Sequence, residues 1–450
     1  MYVLEADTLP ASARSLMENK TILVVGNDQI SWVWIRSTLK NYGIKLVLVV
    51  SESVTFSQDA FKCIQYDFSD HSLDEIHAEE IINILLDLNL NIDGCCTFTD
   101  ECGPLTAYLC EKLTLSGGVG VPGATNVRDK SRTHSYLRQQ TDGYYNFPLT
   151  YNYTGRSTVI NSENTLQSAI QTIGFPAVCK PEHGANGKGV MMFWNKEEYE
   201  DVYQKLENTL KDGHSIMLME YFDGTEHDIE VIIYQGEVLA AIVSDNGPTM
   251  PGSFVETSMS MPSCLSPSDI SKLRTAASDC CIDIGLRNGV FNVEMKLTSV
   301  GPKLIEINGR MGGDYIRNWM HICYGFDLLW YVVVIAAGIR PPIPTVETTV
   351  HMMGVTCALP VHEKLLCYKE FGAKVDQLIQ SRQVHFFGEK FVESKSIPTK
   401  NAVAICNIAV VKPDLVSAKS SLLDICDLLD INTTLFHVPT YLSDFAPTKV

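Results

Sequence analysis

The stretch GVFNVEMKLTSVGPKLIEINGRMGG, residues Gly289–Gly313, carries the pattern that decides the fold. Two alternating apolar runs flank the turn residues Val300–Pro302, which predicts an antiparallel hairpin centred near residue 300. In that register Glu294 faces Glu306 across the hairpin. Because side chains two apart share one face of a strand, Glu294, Glu306 and Asn308 should point in the same direction.

This opposed pair of carboxylates points to a metal. Two like charges directly opposite each other destabilise a bare sheet, whereas Mg²⁺ prefers oxygen ligands, commonly one or two carboxylates plus the phosphates of a substrate. Glu294, Glu306 and Asn308 are therefore the candidate metal ligands. The alternative is a solvated outer face on which the charges are incidental. Arg310 favours the metal site, because a guanidinium fixed beside a metal can clamp a phosphoryl or acyl-phosphate group.

Composition narrows the class of protein. The chain has 450 residues, 45% of them hydrophobic and 20% charged, as expected for a globular protein of roughly three domains. The net charge of −18 argues against nucleic acid or an anionic membrane as a partner, since both attract basic patches. The 14 cysteines include no C-x-x-C pair, which argues against a zinc ribbon. The start lacks signal-peptide features and Leu328–Ile339 is too short for a membrane span, so a reducing cytoplasm is expected.

The chain opens with a β-α-β pattern. Thr21–Asn27 is predicted to be a buried strand, a helix follows, and Ile44–Val50 is predicted to be the next strand of a parallel sheet. The string GVGVPG at Gly118–Gly123 contains a proline and lacks a strand–helix unit, so we interpret it as a surface turn rather than a dinucleotide site. Pro344, at the end of RPPIP, marks a boundary, and the region after it shows no obvious chemistry.

A glycine-rich loop follows the strand that ends at Lys180. Gly184, Gly187 and Gly189 would let backbone N–H groups fold over phosphates. The loop is not a Walker A loop, because Lys188 is followed by glycine rather than serine or threonine. The alternative is a flexible surface turn.

Two further segments could complete a nucleotide site. Lys130 opens a predicted helix and, taken alone, is an ordinary surface lysine. In LMEYFDGTEHDIEV, the main chain of Glu220, Tyr221 and Phe222 could hydrogen-bond a purine edge. The carboxylate of Glu226 could hold ribose hydroxyls. The alternative is an ordinary strand–turn–strand with solvated acids.

Taken in this order over Lys130–Gly313, the motifs resemble those of the ATP-grasp fold. The resemblance implies an α/β (α+β) protein with an N-terminal Rossmann-like pre-ATP-grasp domain in residues 1–125. Residues 126–224 would hold the lid and the first nucleotide-binding part, and residues 225–344 the metal-binding and catalytic part. Residues 345–450 would form a C-terminal α+β extension.

The same resemblance implies a role for each residue. ATP would be bound with Mg²⁺, as two ions, with Mn²⁺ as a substitute. The residues expected to bind ATP are Lys130, Lys180, Gly184, Gly187, Gly189, Glu220, Tyr221, Phe222 and Glu226. Glu294, Glu306 and Asn308 would bind the metal, and Arg310 and Lys180 would be catalytic. The residues expected to contact the reacting substrates are Glu256, Arg310, Gly312 and Gly313.

Longer stretches carry a closer resemblance. EYFDGTEHDIEV, SDNGPTMPGSFVET, the hairpin stretch and YGFDLL are very similar to the catalytic half of the animal carnosine synthases, from about Lys180 to Pro344 and more loosely beyond. This resemblance implies a ligase that joins an amino acid carboxylate, β-alanine favoured, to an amino acid amine, L-histidine favoured. An acyl phosphate would be the intermediate, and ADP and phosphate the other products. The partners are then small amino acids, and a homodimer is expected.

Two departures from the related sequences bear on the substrates. Gly309 stands where the family commonly has proline, and Met259 stands where bacterial dipeptide ligases have a histidine, so no general base is carried over. Two alternatives stay open. One is an ATP-grasp ligase for another acid and amine, such as γ-aminobutyrate, another amino acid or a polyamine. The other is a catalytically inactive nucleotide-binding module with a regulatory role.

Overall fold

The structure, a computed structural model, describes residues 11–26, 32–51, 60–139, 153–182, 189–198, 203–206, 210, 215–250, 254–313, 315–393 and 403–446. The strands in these ranges are β1 (Thr21–Val25), β2 (Lys45–Val50), β3 (Lys62–Gln65), β4 (Gly94–Thr97), β5 (Ser157–Ile160), β6 (Ala177–Pro181), β7 (Met191–Phe193), β8 (Ile216–Glu220), β9 (Thr225–Tyr234), β10 (Glu237–Asn246), β11 (Ser258–Met261), β12 (Gly289–Thr298), β13 (Gly301–Asn308), β14 (His351–Leu359), β15 (His385–Gly388) and β16 (Val403–Lys412). They form three sheets.

Helices connect and cover these sheets. The α-helices in the described ranges are α1 (Ala11–Met17), α2 (Trp32–Asn41), α3 (Asp74–Asp87), α4 (Gly103–Lys112), α5 (Val121–Arg128), α6 (Lys130–Gln139), α7 (Glu163–Ile173), α8 (Pro267–Asp283), α9 (Ile316–Tyr324), α10 (Leu328–Ala336), α11 (Glu363–Leu366), α12 (Lys369–Gln380), α13 (Leu415–Leu428) and α14 (Val438–Tyr441). The mixture of parallel and antiparallel sheets with helices agrees with the predicted α/β (α+β) class.

The N-terminal sheet has the order β3-β2-β1-β4 and is parallel throughout, which confirms the parallel sheet predicted from the β-α-β opening. All five residues of β1 are buried, as expected for a parallel strand covered on both faces. Leu23 and Val25 belong to the core that contains residues of α3 and α4, whereas Ile22 and Val24 belong to the core that contains α10. The sheet is therefore packed against a helix from much later in the chain.

The second sheet has the order β5-β8-β6-β7 and is antiparallel. Helix α7 packs on it and begins with a capping box between Ser162 and Thr165, which satisfies N–H groups that the first helical turn leaves unpaired. Strand β6 carries Lys180 and β8 ends at Glu220. This sheet thus supplies two of the predicted nucleotide-binding segments.

The third sheet joins the predicted metal hairpin to the end of the chain. Its order is β13-β12-β9-β10-β11-β14-β16-β15, and every neighbouring pair is antiparallel. Strand β11 pairs with β14, so Met261 lies opposite Met352. The predicted boundary at Pro344 therefore falls in a connection between strands of one sheet.

The end of the string GVGVPG is part of a packed helix rather than a surface turn, so the interpretation was wrong for these residues. Helix α5 begins at Val121, inside the string, and Gly123 is buried in it. A Cβ atom at Gly123 would lie 2.5 Å from the carbonyl oxygen of Gly285, which follows α8. The glycine lets α5 approach this loop closely, a contact between distant segments that the local sequence does not reveal.

The apolar run after the hairpin forms two helices. Within the described ranges no single helix is long and apolar enough to cross a membrane, and α9 and α10 meet that test only together, bent by 103° relative to each other. Every residue of α10 is buried.

Candidate active site

The structure confirms the predicted register at the metal-binding end of the hairpin, but a one-residue bulge between Glu294 and Met295 shifts the register nearer the turn. Glu294 pairs with Glu306 and Asn292 pairs with Asn308 across β12 and β13. The turn lies one residue earlier than predicted, at positions 299–300, because Thr298 closes it. Its hydroxyl donates to the Gly301 carbonyl at 2.8 Å and accepts the N–H at position 300 at 3.2 Å.

Pro302, predicted in the turn, lies in β13 opposite Leu297. Strand β13 is at the edge of the sheet, where the missing N–H of proline leaves no ladder bond unmade.

Strand β9 adds acids that sequence reasoning missed. Its register places Asp228 opposite Glu294 and Glu230 opposite Asn292. The signal was present in the sequence, because Glu226, Asp228 and Glu230 are spaced two apart in a strand and must share a face. One face of the sheet therefore carries five carboxylates, two on the hairpin and three on β9.

Neighbouring charges give the two hairpin carboxylates different proton affinities. Desolvation raises the pKa of Glu294 well above its usual value, and the neighbouring charge of Glu306 raises it further. Desolvation acts on Glu306 in the same direction, but Lys130 and Lys180 outweigh it, so the pKa of Glu306 is lowered. Glu294 thus has a higher proton affinity than Glu306.

Lys130 forms an ion pair with the hairpin. It is the first residue of α6, and its Nζ lies 3.3 Å from Oε2 of Glu306. Burial alone would lower the pKa of Lys130, but Glu306 and Glu294 raise it above its usual value. Lys180, in β6, is buried and faces the same cavity. The structure therefore brings both predicted phosphate-binding lysines to the hairpin.

A network of amides fixes the acidic face. The amide nitrogen of Asn308 donates to Oδ1 of Asn292 at 2.8 Å and to Oε1 of Glu294 at 3.1 Å. The amide nitrogen of Asn292 in turn donates to Oδ1 of Asp228 at 3.2 Å and to Oε1 of Glu230 at 3.0 Å. These bonds hold adjacent carboxylates in place although their charges repel.

The donor set fits a hard cation bound with a substrate. In the described part of the chain, no group of three or more His, Cys, Asp or Glu side chains is arranged to hold a metal ion by itself. Glu294, Glu306 and Asn308 offer two carboxylates and one amide. Magnesium is usually bound by one or two carboxylates together with substrate phosphates rather than by an all-protein cage. The residues present therefore fit Mg²⁺ that arrives with a nucleotide.

Arg310 is anchored by the N-terminal region. Its Nη2 lies 2.9 Å from Oδ2 of Asp100, and its Nη1 donates to the Met311 carbonyl at 3.0 Å. Asp100 follows strand β4, at the end of a parallel strand, and desolvation raises its pKa. Just beyond, the N–H of Gly312 donates to the Glu230 carboxylate. Sequence reasoning missed Asp100, because no local pattern connects it to a residue so distant in the chain.

The predicted adenine-binding segment is partly occupied by protein contacts. The N–H of Glu220 donates to the Arg156 carbonyl at 3.0 Å, and the N–H of Tyr221 donates to the Pro176 carbonyl at 3.1 Å. The Glu220 carboxylate accepts from Nε of Arg156 at 3.0 Å. Those two N–H groups are therefore already used, and adenine contact by Glu220, Tyr221 and Phe222 stays a prediction.

The remaining predicted residues lie at the same cavity or beside it. Oε2 of Glu226 is 3.7 Å from Nζ of Lys296, and Oε1 of Glu256 accepts from the amide nitrogen of Asn246 at 3.4 Å. Gly189 has a φ of +77°. The predicted lid residues Gly184 and Gly187 lie outside the described residues.

A cavity of about 970 Å³ connects these groups. Its lining includes the predicted residues Lys130, Lys180, Glu220, Tyr221, Phe222, Glu226, Glu256, Glu294, Glu306, Asn308, Arg310 and Gly313. It also includes Thr356, Phe387 and Asn407, which come from the region after Pro344 in which we predicted no chemistry. The cavity thus extends from the metal hairpin to the C-terminal strands.

Comparison with known proteins gives this arrangement a family context. Residues 173–318 match the family model of the ATP-grasp domain. The chain is 33% identical to human carnosine synthase 1 over 97% of its own length and 54% of that protein, so it spans about half the length of the curated relatives that it matches. It is 27% identical to alanine–anticapsin ligase of Bacillus subtilis over 49% of each chain.

Comparison of structures supports the same fold. The crystal structure of an L-amino acid ligase from Bacillus licheniformis superposes with a TM-score of 0.69, covering 91% of this chain and 98% of that one at 16% sequence identity. That identity is too low to carry more than the fold. The predicted ATP-grasp fold is therefore confirmed.

Proposed function

We propose that this chain, which carries an ATP-grasp domain, is an ATP-dependent carboxylate–amine ligase that forms an amide through an acyl phosphate and releases ADP and phosphate. One observation carries the proposal: Glu294 and Glu306 face each other on a half-buried surface, with Lys130 at 3.3 Å from Glu306. Two opposed carboxylates repel each other when both are charged, and a cation between them removes that repulsion. The similarity to carnosine synthase 1 supports the same reaction class.

The chemical difficulty of the reaction explains the need for ATP. A carboxylate is anionic and would have to expel oxide, so an amine does not attack it readily. Transfer of the γ-phosphoryl group to a carboxylate oxygen gives an acyl phosphate and ADP. The amine nitrogen then adds to the acyl carbon, loses a proton, and expels inorganic phosphate as the amide forms.

Different residues of the chain would bind the metal and the phosphates in this reaction. Glu294, Glu306 and Asn308 would hold Mg²⁺, which supplies positive charge against the transferring phosphoryl group. Lys130 and Lys180, which lie beside the hairpin, would contact the phosphates of ATP. These are contacts that orient the nucleotide and lower the repulsion between its phosphates and the acid substrate.

Arg310 would act at the second half of the reaction. A guanidinium held by Asp100 is placed to stabilise negative charge on the departing phosphate and on the tetrahedral intermediate. Glu256 would bind the ammonium group of the acid substrate, and Gly312 and Gly313 would shape the backbone beside it. An acyl phosphate hydrolyses in water, so a lid over the cavity is part of the proposal.

The finer features of the proposal rest on similarity. We favour β-alanine as the acid and L-histidine as the amine. Two Mg²⁺ ions, replaceable by Mn²⁺, a homodimer and a cytoplasmic location also stay predictions. A different acid and amine pair is the main alternative. An inactive regulatory module is disfavoured, because a protein without catalysis has no need of a repulsive carboxylate pair.

The test is ADP release across a matrix of amino acids and amines, with mass spectrometry of the product. The proposal requires ADP release that depends on both an acid and an amine and that yields their condensed product. Glu306→Gln is the matched inactive control, since it removes one charge at nearly constant shape. Full turnover by this variant, or no amide product from any pair with the unaltered protein, would overturn the proposal.

A further inference from the structure

The side-chain amide of Asn407 is buried without a hydrogen-bond partner among the described residues. The residue is 1% exposed, and neither its amide nitrogen nor its amide oxygen has a hydrogen-bond partner among the residues that the structure describes. Leaving a buried amide unpaired destabilises the folded state. Native proteins rarely retain such groups without a function, so this carboxamide requires an explanation.

The sheet register places Asn407 on the catalytic face. Thr356 of β14 lies opposite Asn407 of β16, and residues opposite each other in a sheet share a face. Gly354, two residues before Thr356, shares that face and pairs with Met259, which pairs with Asn246 of β10.

The same argument, that paired residues share a face of the sheet, extends to the hairpin of β12 and β13. Asn246 pairs with Glu226 of β9, and Glu226 pairs with Lys296 of β12. Lys296 is two residues from Glu294, so it points in the same direction as that acid. Asn407 and Glu294 therefore face the same cavity, whose lining includes both.

Local packing leaves room for the carboxamide. A Cβ atom at Gly354 would lie 2.8 Å from Oδ1 of Asn407 and 2.8 Å from the indole of Trp319. Trp319 belongs to α9, which begins six residues after Arg310. The ring of Tyr315 lies 6.1 Å from that of Phe387, the strand partner of Asn407. Asn407 thus lies close to the segment that follows Arg310.

We infer that Asn407 is a specificity-determining residue for the amine substrate and binds its side chain. The inference rests on the proposed ligase function. The phosphates of ATP would lie beside Lys130 and the hairpin, and Arg310 would meet the acyl phosphate. The C-terminal end of the cavity then faces the part of the amine substrate that is farthest from phosphoryl transfer.

The polar groups at the C-terminal end of the cavity indicate which kind of amine substrate would bind there. A carboxamide offers one donor group and one acceptor side by side, so it matches a side chain that also has both, such as a neutral imidazole or a carboxamide. Glu389 and Asp444 line the cavity as well, whereas the guanidinium of Arg317 is held by Asp327 at 2.5 and 2.6 Å. An anionic side chain would be repelled there.

The test compares amine substrates in the full chain. We expect Asn407→Leu, which is similar in size, to lower the ratio of kcat/KM for L-histidine or L-glutamine over that for L-phenylalanine by about 10-fold or more. The KM for ATP and for the acid should stay unchanged. Because an unpaired polar group is removed, the variant should unfold at the same or a higher temperature than the unaltered protein.

Two further variants sharpen the outcome. Asn407→Ser removes the carboxamide while keeping the site polar, and should lower the ratio as well if the leucine variant does not fold. Gln377→Leu, on the exposed side of α12, is the matched control and should change nothing. An active protein whose ratio is unchanged by the Asn407 variants would overturn the inference alone. Failure of the unaltered protein to form any amide would overturn the proposed function, and the inference with it.

Discussion

The N–H of Gly312 lies 3.0 and 3.1 Å from the two carboxylate oxygens of Glu230. This contact holds the backbone of Gly312, two residues after Arg310, against the face of the third sheet that carries the carboxylates. Glu230 also accepts from Asn292, so one buried carboxylate links the arginine segment to the hairpin. The position of Arg310 therefore depends on a residue that would not touch the substrate.

Gly312→Ala should disrupt this arrangement, whereas Gly313→Ala should not. A Cβ atom at Gly312 would lie 2.3 Å from Oε1 of Glu230, so either the Glu230 carboxylate or the backbone that follows Arg310 must move, and the link between them is broken. At Gly313 the nearest atom to a Cβ would be Nη1 of Arg310, at 3.9 Å. We expect kcat/KM to fall by roughly 10²-fold for the first variant, as misplacements of about 1 Å do. Equal rates for the two variants would contradict this account.

Glu230→Gln should change how stability depends on pH. Desolvation raises the pKa of Glu230 to about 7, despite bonds from Gly312 and Asn292 that lower it. The folded state then binds a proton more tightly than the unfolded state, so this group stabilises the fold fully below its unfolded pKa. That stabilisation, about 3 kcal/mol by the linkage relation, is lost as pH rises to about 7.

The measurement is chemical denaturation of both proteins between pH 4.5 and 8. Subtracting the two profiles isolates Glu230 from the other buried acids, since they are common to both. The free energy of unfolding of the unaltered protein should fall relative to that of the variant as pH rises. A flat difference would show that Glu230 has no raised pKa in the folded protein.

Arg310 and Asp100 should act as a unit. Arg310→Ala should lower kcat by about 10²-fold or more, as loss of an oxyanion donor does. Asp100→Ala should lower it less, because the guanidinium remains but loses its 2.9 Å anchor. The double variant should be no worse than Arg310→Ala alone, since Asp100 would act only through the arginine. If the fold-reductions of the two single variants multiply in the double variant, Asp100 does not act through Arg310.

Binding of Mg²⁺ and nucleotide should release protons. Desolvation and the charge of Glu306 raise the pKa of Glu294, so Glu294 holds a proton that a metal must displace. Calorimetry in two buffers of different ionisation enthalpy measures this release. Affinity should increase with pH, a chelator should abolish turnover, and Glu294→Gln should remove the proton release. Glu237→Gln, an exposed acid paired with Arg340, is the control and should retain it.

The hairpin could be predicted because its information is local. Alternation fixes which side chains share a face, and a turn near residue 300 brings Glu294 close to Glu306. The exact pairing also depends on a bulge between Glu294 and Met295, which compensates for the earlier turn. The same logic would have found Asp228 and Glu230, had their spacing of two been read as a strand pattern. The turn was misplaced by one residue, because the Thr298 side chain contact that closes it is not encoded in the apolar alternation.

Asp100 and Asn407 could not be predicted in this way. Asp100 reaches Arg310 only because α10 packs the N-terminal sheet against the body of the protein. Asn407 lies in an apolar strand and has no motif around it. Its relation to the hairpin is visible only when the strands between β12 and β16 are placed in order.

The continuity of the third sheet constrains how this protein can be divided. Strand β11 has four residues and lies between β10 and β14, so excising everything after Pro344 would strip one whole side of its hydrogen-bond ladder. The remainder would present an unprotected apolar edge, which invites aggregation. We therefore expect that the ATP-grasp part of this chain does not fold without the residues after Pro344. A chimera that takes these residues from a relative would have to keep the pairing of β11 with β14.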